Sequence, residues 1–509
     1  MDSKTKKKSI AKNYIYNLTF QILKIILPII TTPYISRTLG AENIGIYGYT
    51  LSISAYFILF GSLGVAMYGQ REIAYNQENK KEYSKIFWEV VIFRIITMII
   101  SMICFGIVFA SYGQYAIYYR ILLLEMLGNC LDISWFFQGQ EDFKRTVLRN
   151  LAVKLISVIS IFVFIKTSND LMKYFWIYVL SILIGNVSLW FYLPKYLDRV
   201  KFKKLNIFRH FRPTVSLFVP QIAVDIYTVL DKTMIGTIIS DKSEVGYYEQ
   251  SQKIVKVLLA VITSLGTVMM PRIANTFARG EKEKVTDYMK KSFNLVFLLA
   301  FPLILGIIVA TKNFVPLFFG EGYDRVIIIM QVISPIILFI GLSSIVGTQY
   351  LLPTKRQKEY TISVICGALV NFLMNSILIW KFGAMGAAIG TVIAEFTVTA
   401  VQIYFVRKDF NLLKIAKISI NYILSSFIMF GCCYLINFVN VGDLVNIILK
   451  VLVGTTVYGL ALLILKDEFI NQMICKFMNK ISSRRNKENE VWLFSSWNRI
   501  IWSNIRIWS

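Results

Sequence analysis

Apolar runs of membrane-crossing length, separated by short polar connections, recur from about residue 15 to residue 465 of this 509-residue chain. A crossing helix takes about 20 mostly apolar residues. Runs of that kind fall near 15–36, 45–67, 86–110, 117–137, 146–165, 174–193 and 214–239. Seven more lie near 254–271, 292–311, 326–350, 360–380, 384–406, 415–438 and 444–465. The pattern predicts an all-α polytopic membrane protein of about fourteen transmembrane helices, with connections too short to hold a separate catalytic domain. The first run keeps Lys24 and Pro28 and has no small-residue cleavage pattern, so it reads as a retained span.

The connections alternate in charge. Those after even-numbered spans carry Lys144 and Arg145, then Lys195, Arg199, Lys201, Lys203, Lys204, Arg209 and Arg212, and later Lys355, Arg356, Lys358, Arg407, Lys408 and Lys414. Those after odd-numbered spans are nearly bare, with Arg37, Lys242 and Lys312 among their few cations. Because cytoplasmic loops collect Lys and Arg, this alternation predicts both termini in the cytoplasm. It also absorbs the net charge of +25, from 55 Lys and Arg against 30 Asp and Glu, which in a soluble chain would point to nucleic acid. The basic connection 194–213 is either an amphipathic segment on the membrane surface or a solvated loop.

The chain resembles itself at a distance. A shift of 201 residues lays Ile44-Gly45-Ile46-Tyr47 on Val245-Gly246-Tyr247-Tyr248 and Arg71 on Arg272. A shift of 211 lays Gln138 on Gln349 and Lys144-Arg145 on Lys355-Arg356. These matches predict two six-helix bundles in parallel topology, 1–193 and 214–407, joined by the basic linker and facing one another across a central cavity. Two further helices occupy 408–466, and a basic tail, 467–509, ends with Trp492, Trp497, Trp502 and Trp508.

Ionisable residues within spans are costly unless they meet water or a partner, so each is a candidate. The cations are Lys24, Arg94, Lys154 and Lys256, with Lys450 in the last span as a snorkelling or interhelical residue; the acids are Asp225, Asp231, Glu125, Asp132 and Glu395. The 201-residue shift places Lys24 on Asp225, which predicts either an opposed pair across the cavity or two separate local partnerships. Glu125 and Asp132, seven residues apart, would share one helix face, either as groups answering a proton or cation gradient or as structural partners of Arg94 or Lys154. Cations in the cavity favour an anionic cargo such as a phosphate or pyrophosphate headgroup. Pro28, Pro33, Pro220 and Pro335 allow kinks, whether for opening or for packing.

The remaining chemistry is sparse. His210 is the single histidine, and Cys104, Cys130, Cys366, Cys432, Cys433 and Cys475 have no metal-like spacing. That leaves neither a His-based triad nor a metal site, nor a disulfide framework.

The segments PYISRTLGAENIGIYGYT (33–50), GQREIAYN (69–76), DISWFFQGQEDFKRTVLRN (132–150), VPQIAVDIYTVLDKTMIG (219–236), EVGYYEQSQKIVK (244–256) and GTQYLLPTKRQKEY (347–360) together resemble bacterial polysaccharide repeat-unit flippases of the Wzx type. These belong to the multidrug, oligosaccharidyl-lipid and polysaccharide exporter superfamily. The resemblance covers residues 10 to about 465. It implies movement of undecaprenyl-pyrophosphate-linked oligosaccharides from the cytoplasmic to the outer leaflet for capsule, exopolysaccharide or O-antigen assembly. It further implies no cofactor, an Na⁺ or H⁺ gradient as the energy source, and pathway glycosyltransferases and a polymerase as partners. Lys24, Arg37 and Arg94 would be substrate-binding cations, and Asp231 lies in a family segment of unassigned role. The alternatives are a cation-coupled multidrug exporter of the same superfamily, and a membrane glycosyltransferase or polymerase, which the short loops disfavour.

Overall fold

The computed structural model describes residues 3–472, 474 and 475, and for 3–25, 143–144, 219–221, 223–227, 265, 267–268 and 412 it describes the backbone alone. The Trp-rich tail lies outside the described residues. Sixteen α-helices, with no strand among the described residues, follow in order: α1 (Ser3–Ser62), α2 (Val65–Tyr75), α3 (Lys80–Phe105), α4 (Ala116–Cys130), α5 (Ser134–Gly139), α6 (Phe143–Phe164), α7 (Leu171–Trp190) and α8 (Phe211–Ile238). Then come α9 (Ser243–Ala278), α10 (Lys282–Phe319), α11 (Asp324–Ile333), α12 (Ile336–Ser343), α13 (Gln357–Phe382), α14 (Ala384–Val406), α15 (Leu412–Leu435) and α16 (Asp443–Ile464). An all-helical chain is what a bilayer demands, since lipid offers backbone N–H and C=O groups no partner.

Twelve stretches among the described residues are long and apolar enough to cross a membrane. The first, Ile26–Tyr75, runs 50 residues, about 75 Å as continuous helix against a hydrocarbon core of about 30 Å. Gly40 divides it: its backbone at φ 80°, ψ 168° leaves helical geometry in a region that only glycine adopts easily. Counting α1 as two segments and adding the 28-residue α8 gives fourteen segments, close to the fourteen predicted runs.

Two predicted spans are broken. The fourth leaves α geometry between Cys130 and Ser134, with no glycine or proline at the break. Freed carbonyls there are met by side chains: Asn186 Nδ2 donates to Gly128 O (2.8 Å), Trp190 Nε1 to Leu131 O (2.8 Å) and Arg94 Nη1 to Asp132 O (2.9 Å). The tenth breaks between α11 and α12 at Pro335 and then widens into a π-helical turn, Ser344–Leu351. The 211-residue shift carries α5 onto that turn, so both fourth spans are irregular at matching places. Pro28 and Pro33, by contrast, stay inside α1; the side chain of Pro220 is outside the described residues.

Helices α1 to α7 pack mainly on one another, through α1 with α3, α4 and α6 and through α4 with α7. The second bundle centres on α13 with α14 and α8, and on α9 with α11 and α12. The start of α8 lies against the first bundle, where the Phe218 ring meets that of Phe60 edge-on (centroids 6.2 Å), while α8 also packs on α9 and α13. Helices α15 and α16 pack on α10. Lys450 on α16 is interhelical: its Nζ donates to Val309 O (3.0 Å), Asn313 Oδ1 (2.6 Å) and Asn437 Oδ1 (2.6 Å).

Candidate transport cavity

The bundles meet along α1 and α9. Thr233 Oγ1 donates to Ser52 Oγ (2.8 Å), Gln250 Nε2 to Ser36 Oγ (2.9 Å) and Tyr323 OH to Ser36 O (3.0 Å). Lys242 Nζ stands 5.1 Å from the centre of the Tyr49 ring. These contacts close the interface at the end of the bundles that carries the charge-poor connections.

Further along α1 a cavity of about 550 Å³ opens between the bundles, walled by Ser52, Tyr56 and Leu59 of α1, Glu125 of α4, Tyr178 of α7 and Lys232 of α8. Glu125 is buried in its wall, where Ser54 Oγ (2.9 Å) and Tyr178 OH (2.8 Å) donate to its two oxygens. Lys232 Nζ lies 3.6 Å from Glu249 Oε2. Lys253 is half-buried within electrostatic range of Glu249, Lys232 and Lys154. Lys256 donates to Gln252 Oε1 (3.0 Å) and feels Lys232 and Glu249 as well. Four lysines from α6, α8 and α9 thus form a chain of electrostatic neighbours, with Glu249 among them and Asp231 and Glu395 within range of Lys256. Lys154 and Lys256 were expected here; Lys232, Lys253 and Glu249 were not singled out, although Lys253 and Lys256 sit three apart on one helix face.

Other expected residues lie elsewhere. Arg37 sits at the closed end, where its guanidinium donates to Leu317 O, so it belongs to the closure and not to the cavity wall. Arg94 is buried against the break after α4, where a freed carbonyl needs a donor, and it is not in the cavity wall. Asp132 does not share a helix face with Glu125, because the helix ends between them and Asp132 Oδ1 accepts the Ser134 N–H (2.9 Å) at the start of α5. The side chains of Lys24 and Asp225 are outside the described residues.

A second polar centre is sealed within the other bundle. Asp231 is buried, and Asn375 Nδ2 (2.7 Å) and Asn371 Nδ2 (3.1 Å) of α13 donate to its Oδ1. Thr391 Oγ1 of α14 stands 3.0 Å from Oδ2, and Tyr248 OH of α9 donates to that same oxygen. Asn375 Oδ1, buried beside Gly390, accepts no hydrogen bond. Glu395, also buried, is in electrostatic range of Tyr248 and Lys256, so the centre borders the lysine group.

Comparison with known proteins agrees with this architecture. Residues 10–277 match the polysaccharide biosynthesis protein family, and residues 217–377 match the MatE family. A putative O-antigen transporter of Escherichia coli K12 is 27% identical over 410 residues, 80% of this chain and 98% of that protein. The capsular polysaccharide biosynthesis protein CapF of Staphylococcus aureus is 23% identical over 411 residues, 78% of this chain and all (100%) of CapF. Among solved structures, the lipid II flippase MurJ in an inward closed conformation superposes with a TM-score of 0.68 at 17% identity, covering 91% of this chain and 100% of MurJ. An inward-facing multidrug resistance MATE transporter gives 0.60 at 13% identity, covering 79% and 98%. With its helical bundles, its interbundle cavity and a family match over more than half its length, the chain belongs to the polysaccharide biosynthesis protein family, as a Wzx-type transporter of the multidrug, oligosaccharidyl-lipid and polysaccharide exporter superfamily.

Proposed function

We propose that this transporter flips undecaprenyl-pyrophosphate-linked oligosaccharide units from the cytoplasmic to the outer leaflet of a bacterial cytoplasmic membrane, for capsule, exopolysaccharide or O-antigen assembly. The carrying observation is the group of Lys154, Lys232, Lys253 and Lys256 beside the cavity between the bundles, with Glu249 next to Lys232 among them. A surplus of ammonium groups in a low-dielectric cleft attracts a pyrophosphate and repels a cationic drug. Tyr56, Tyr178 and Ser52 in the wall offer hydroxyls to sugar. Both termini face the cytoplasm in this reading, so the closed end is the outer one and cargo enters from the basic side. Pathway glycosyltransferases supply the cargo and a polymerase consumes it.

An Na⁺ or H⁺ gradient drives the cycle. Of the buried acids, Asp231 is the best suited to respond to it, because its carboxylate is ringed by oxygen- and nitrogen-bearing side chains from α9, α13 and α14 and neighbours the unpartnered Asn375 Oδ1. Protonation or cation binding there would change how three helices of one bundle hold together.

Purified protein in liposomes with a lipid-linked oligosaccharide tests the cargo. Flipping should drop at least about tenfold, an energy of about 1.4 kcal/mol, in Lys232→Ala and Lys253→Ala and survive in part in the arginine variants. Wild-type rates in both alanine variants would overturn the reading. The MatE match over 217–377 keeps a multidrug exporter as the second reading. Export of a cationic dye, with no movement of the oligosaccharide, would favour it.

A further inference from the structure

Away from the central cavity, α12 and α14 enclose a recess of about 450 Å³ on the outside of the second bundle, lined by Phe339 and Leu342 of α12 and by Phe396, Ala400 and Tyr404 of α14, with Arg407 at one end. Phe396, Ala400 and Tyr404 follow one another at intervals of four, which puts them on one face of α14, and all three are exposed. Ala394, Val398 and Gln402 of the same helix are buried against its neighbours. The recess therefore opens toward lipid, and the small side chain of Ala400 leaves its floor open.

Arg407 sets the chemistry. The 23 residues of α14 span about 35 Å, enough to cross the hydrocarbon core of about 30 Å and reach the headgroups. Glu244 at the start of α9 accepts the Ala384 N–H (2.7 Å), which fixes the first turn of α14 at the closed end of the bundles. Arg407 is thus at headgroup level on the opposite, basic side. Its guanidinium carbon stands 3.8 Å from the centre of the Tyr404 ring, which holds it over the mouth of the recess. The nearby carboxylate of Asp409 is taken by Arg356 Nη1 (2.5 Å). Among the described residues no acidic side chain forms an ion pair with Arg407. An apolar slot at chain depth, ending in an uncompensated guanidinium at phosphate depth, is complementary to one kind of molecule: a bilayer lipid with an acyl tail and a net anionic phosphate headgroup.

We propose that this recess is a binding site for an anionic phospholipid, with one acyl chain between α12 and α14 and the phosphate on Arg407. The site is independent of the cargo cavity and of the proposed function.

Native mass spectrometry of the delipidated full chain, titrated with phosphatidylglycerol and separately with phosphatidylcholine, tests it. Phosphatidylglycerol should bind about tenfold more tightly, a difference of about 1.4 kcal/mol. Arg407→Ala should erase that preference, Arg407→Lys should keep part of it, and Ala400→Phe, which fills the recess, should weaken both lipids. An unchanged preference in Arg407→Ala and Ala400→Phe overturns the site. Undecaprenyl pyrophosphate displacing phosphatidylglycerol with higher affinity, and losing that affinity in Arg407→Ala, would assign the recess to cargo and likewise overturn it.

Discussion

Gly45 of α1 and Gly246 of α9, 201 residues apart, pack backbone to backbone across the interface between the bundles. A Cβ on Gly45 would stand 1.6 Å from Lys242 O, and a Cβ on Gly246 would stand 2.1 Å from Ala41 O. Lys242 and Ala41 are themselves 201 residues apart, so each half presses a glycine onto the matching carbonyl of the other. This reciprocal contact is what two repeats related by a twofold axis make where they cross, and it permits the closed end to close.

Side chains at these glycines should therefore hold that end open. Overpacking costs about 1–3 kcal/mol, enough to shift an open-to-closed balance by about 5- to 150-fold. In a cysteine-free background, Ser36→Cys should react with a membrane-impermeant maleimide much faster when Gly45→Val or Gly246→Val is added, and flipping should fall in parallel. Unchanged labelling in both valine variants would show that the glycines do not form the closure.

The Asp231 centre makes a separate prediction. Asp231→Asn keeps the shape but removes the charge that Asn371, Asn375 and Tyr248 serve, so flipping in liposomes should lose its response to an imposed Na⁺ or pH gradient while the protein stays folded. Asp231→Ala strands those donors at about 1–3 kcal/mol each, and its melting temperature in detergent should fall. Asp132→Asn should keep gradient dependence, since Asp132 only starts α5. Gradient dependence intact in Asp231→Asn would remove it as the coupling group.

These two sites mark how far the sequence alone could be read. Span count and order were legible because the bilayer imposes a hydrophobic length on every crossing, and Gly45 was already aligned with Gly246 as a repeat. Their contact was not, since self-similarity carries no distance. Asp231 stood out as a buried acid, but its ligands Asn371, Asn375 and Thr391 lie 140 to 160 residues further on, as ordinary polar positions in apolar helices. The shared face of Glu125 and Asp132 was misread because periodicity assumes an unbroken helix, whereas a partnership of Asp132 with Arg94, the other reading, is present through the Asp132 carbonyl. The break at 131–133 is held by distant side chains and has no glycine or proline to announce it.

The linker before α8 should respond to acid. His210 is buried, with Nε2 2.9 Å from Glu89 Oε2 and Nδ1 2.7 Å from Tyr68 OH, and Arg209 also donates to Glu89 (2.8 Å). Burial holds the imidazole below its ordinary pKa, opposed by Glu89 and assisted by the Arg209 charge, with Glu72 a weaker opposing neighbour. A released linker takes up the proton near the ordinary value of about 6.5. Docking is then fully stable above that value and loses stability as pH falls through it. Hydrogen exchange over 199–212, corrected for its intrinsic pH dependence, should quicken between pH 7.5 and pH 5.5, and His210→Gln should flatten the change. An equal acid response in the variant would place the titrating group elsewhere.

Lys450→Met keeps the bulk of the side chain and deletes the donor that Asn313 and Asn437 share. It also leaves the buried Val309 carbonyl unmet, which costs about 1–3 kcal/mol. The variant should melt at lower temperature and show faster exchange in α15 and α16 than in α3. Uniform exchange across both regions would argue against a local fastening.

That fastening determines what an attached probe can report. Because Lys450 ties α16 to Val309 and Asn313 of α10, the two appended helices are cargo of the second half and turn with it. A spin label on α16, paired with one on α3, would report any swing between the halves with neither label on a helix of the lysine group or of the glycine crossing, so the motion can be followed without touching the machinery that makes it.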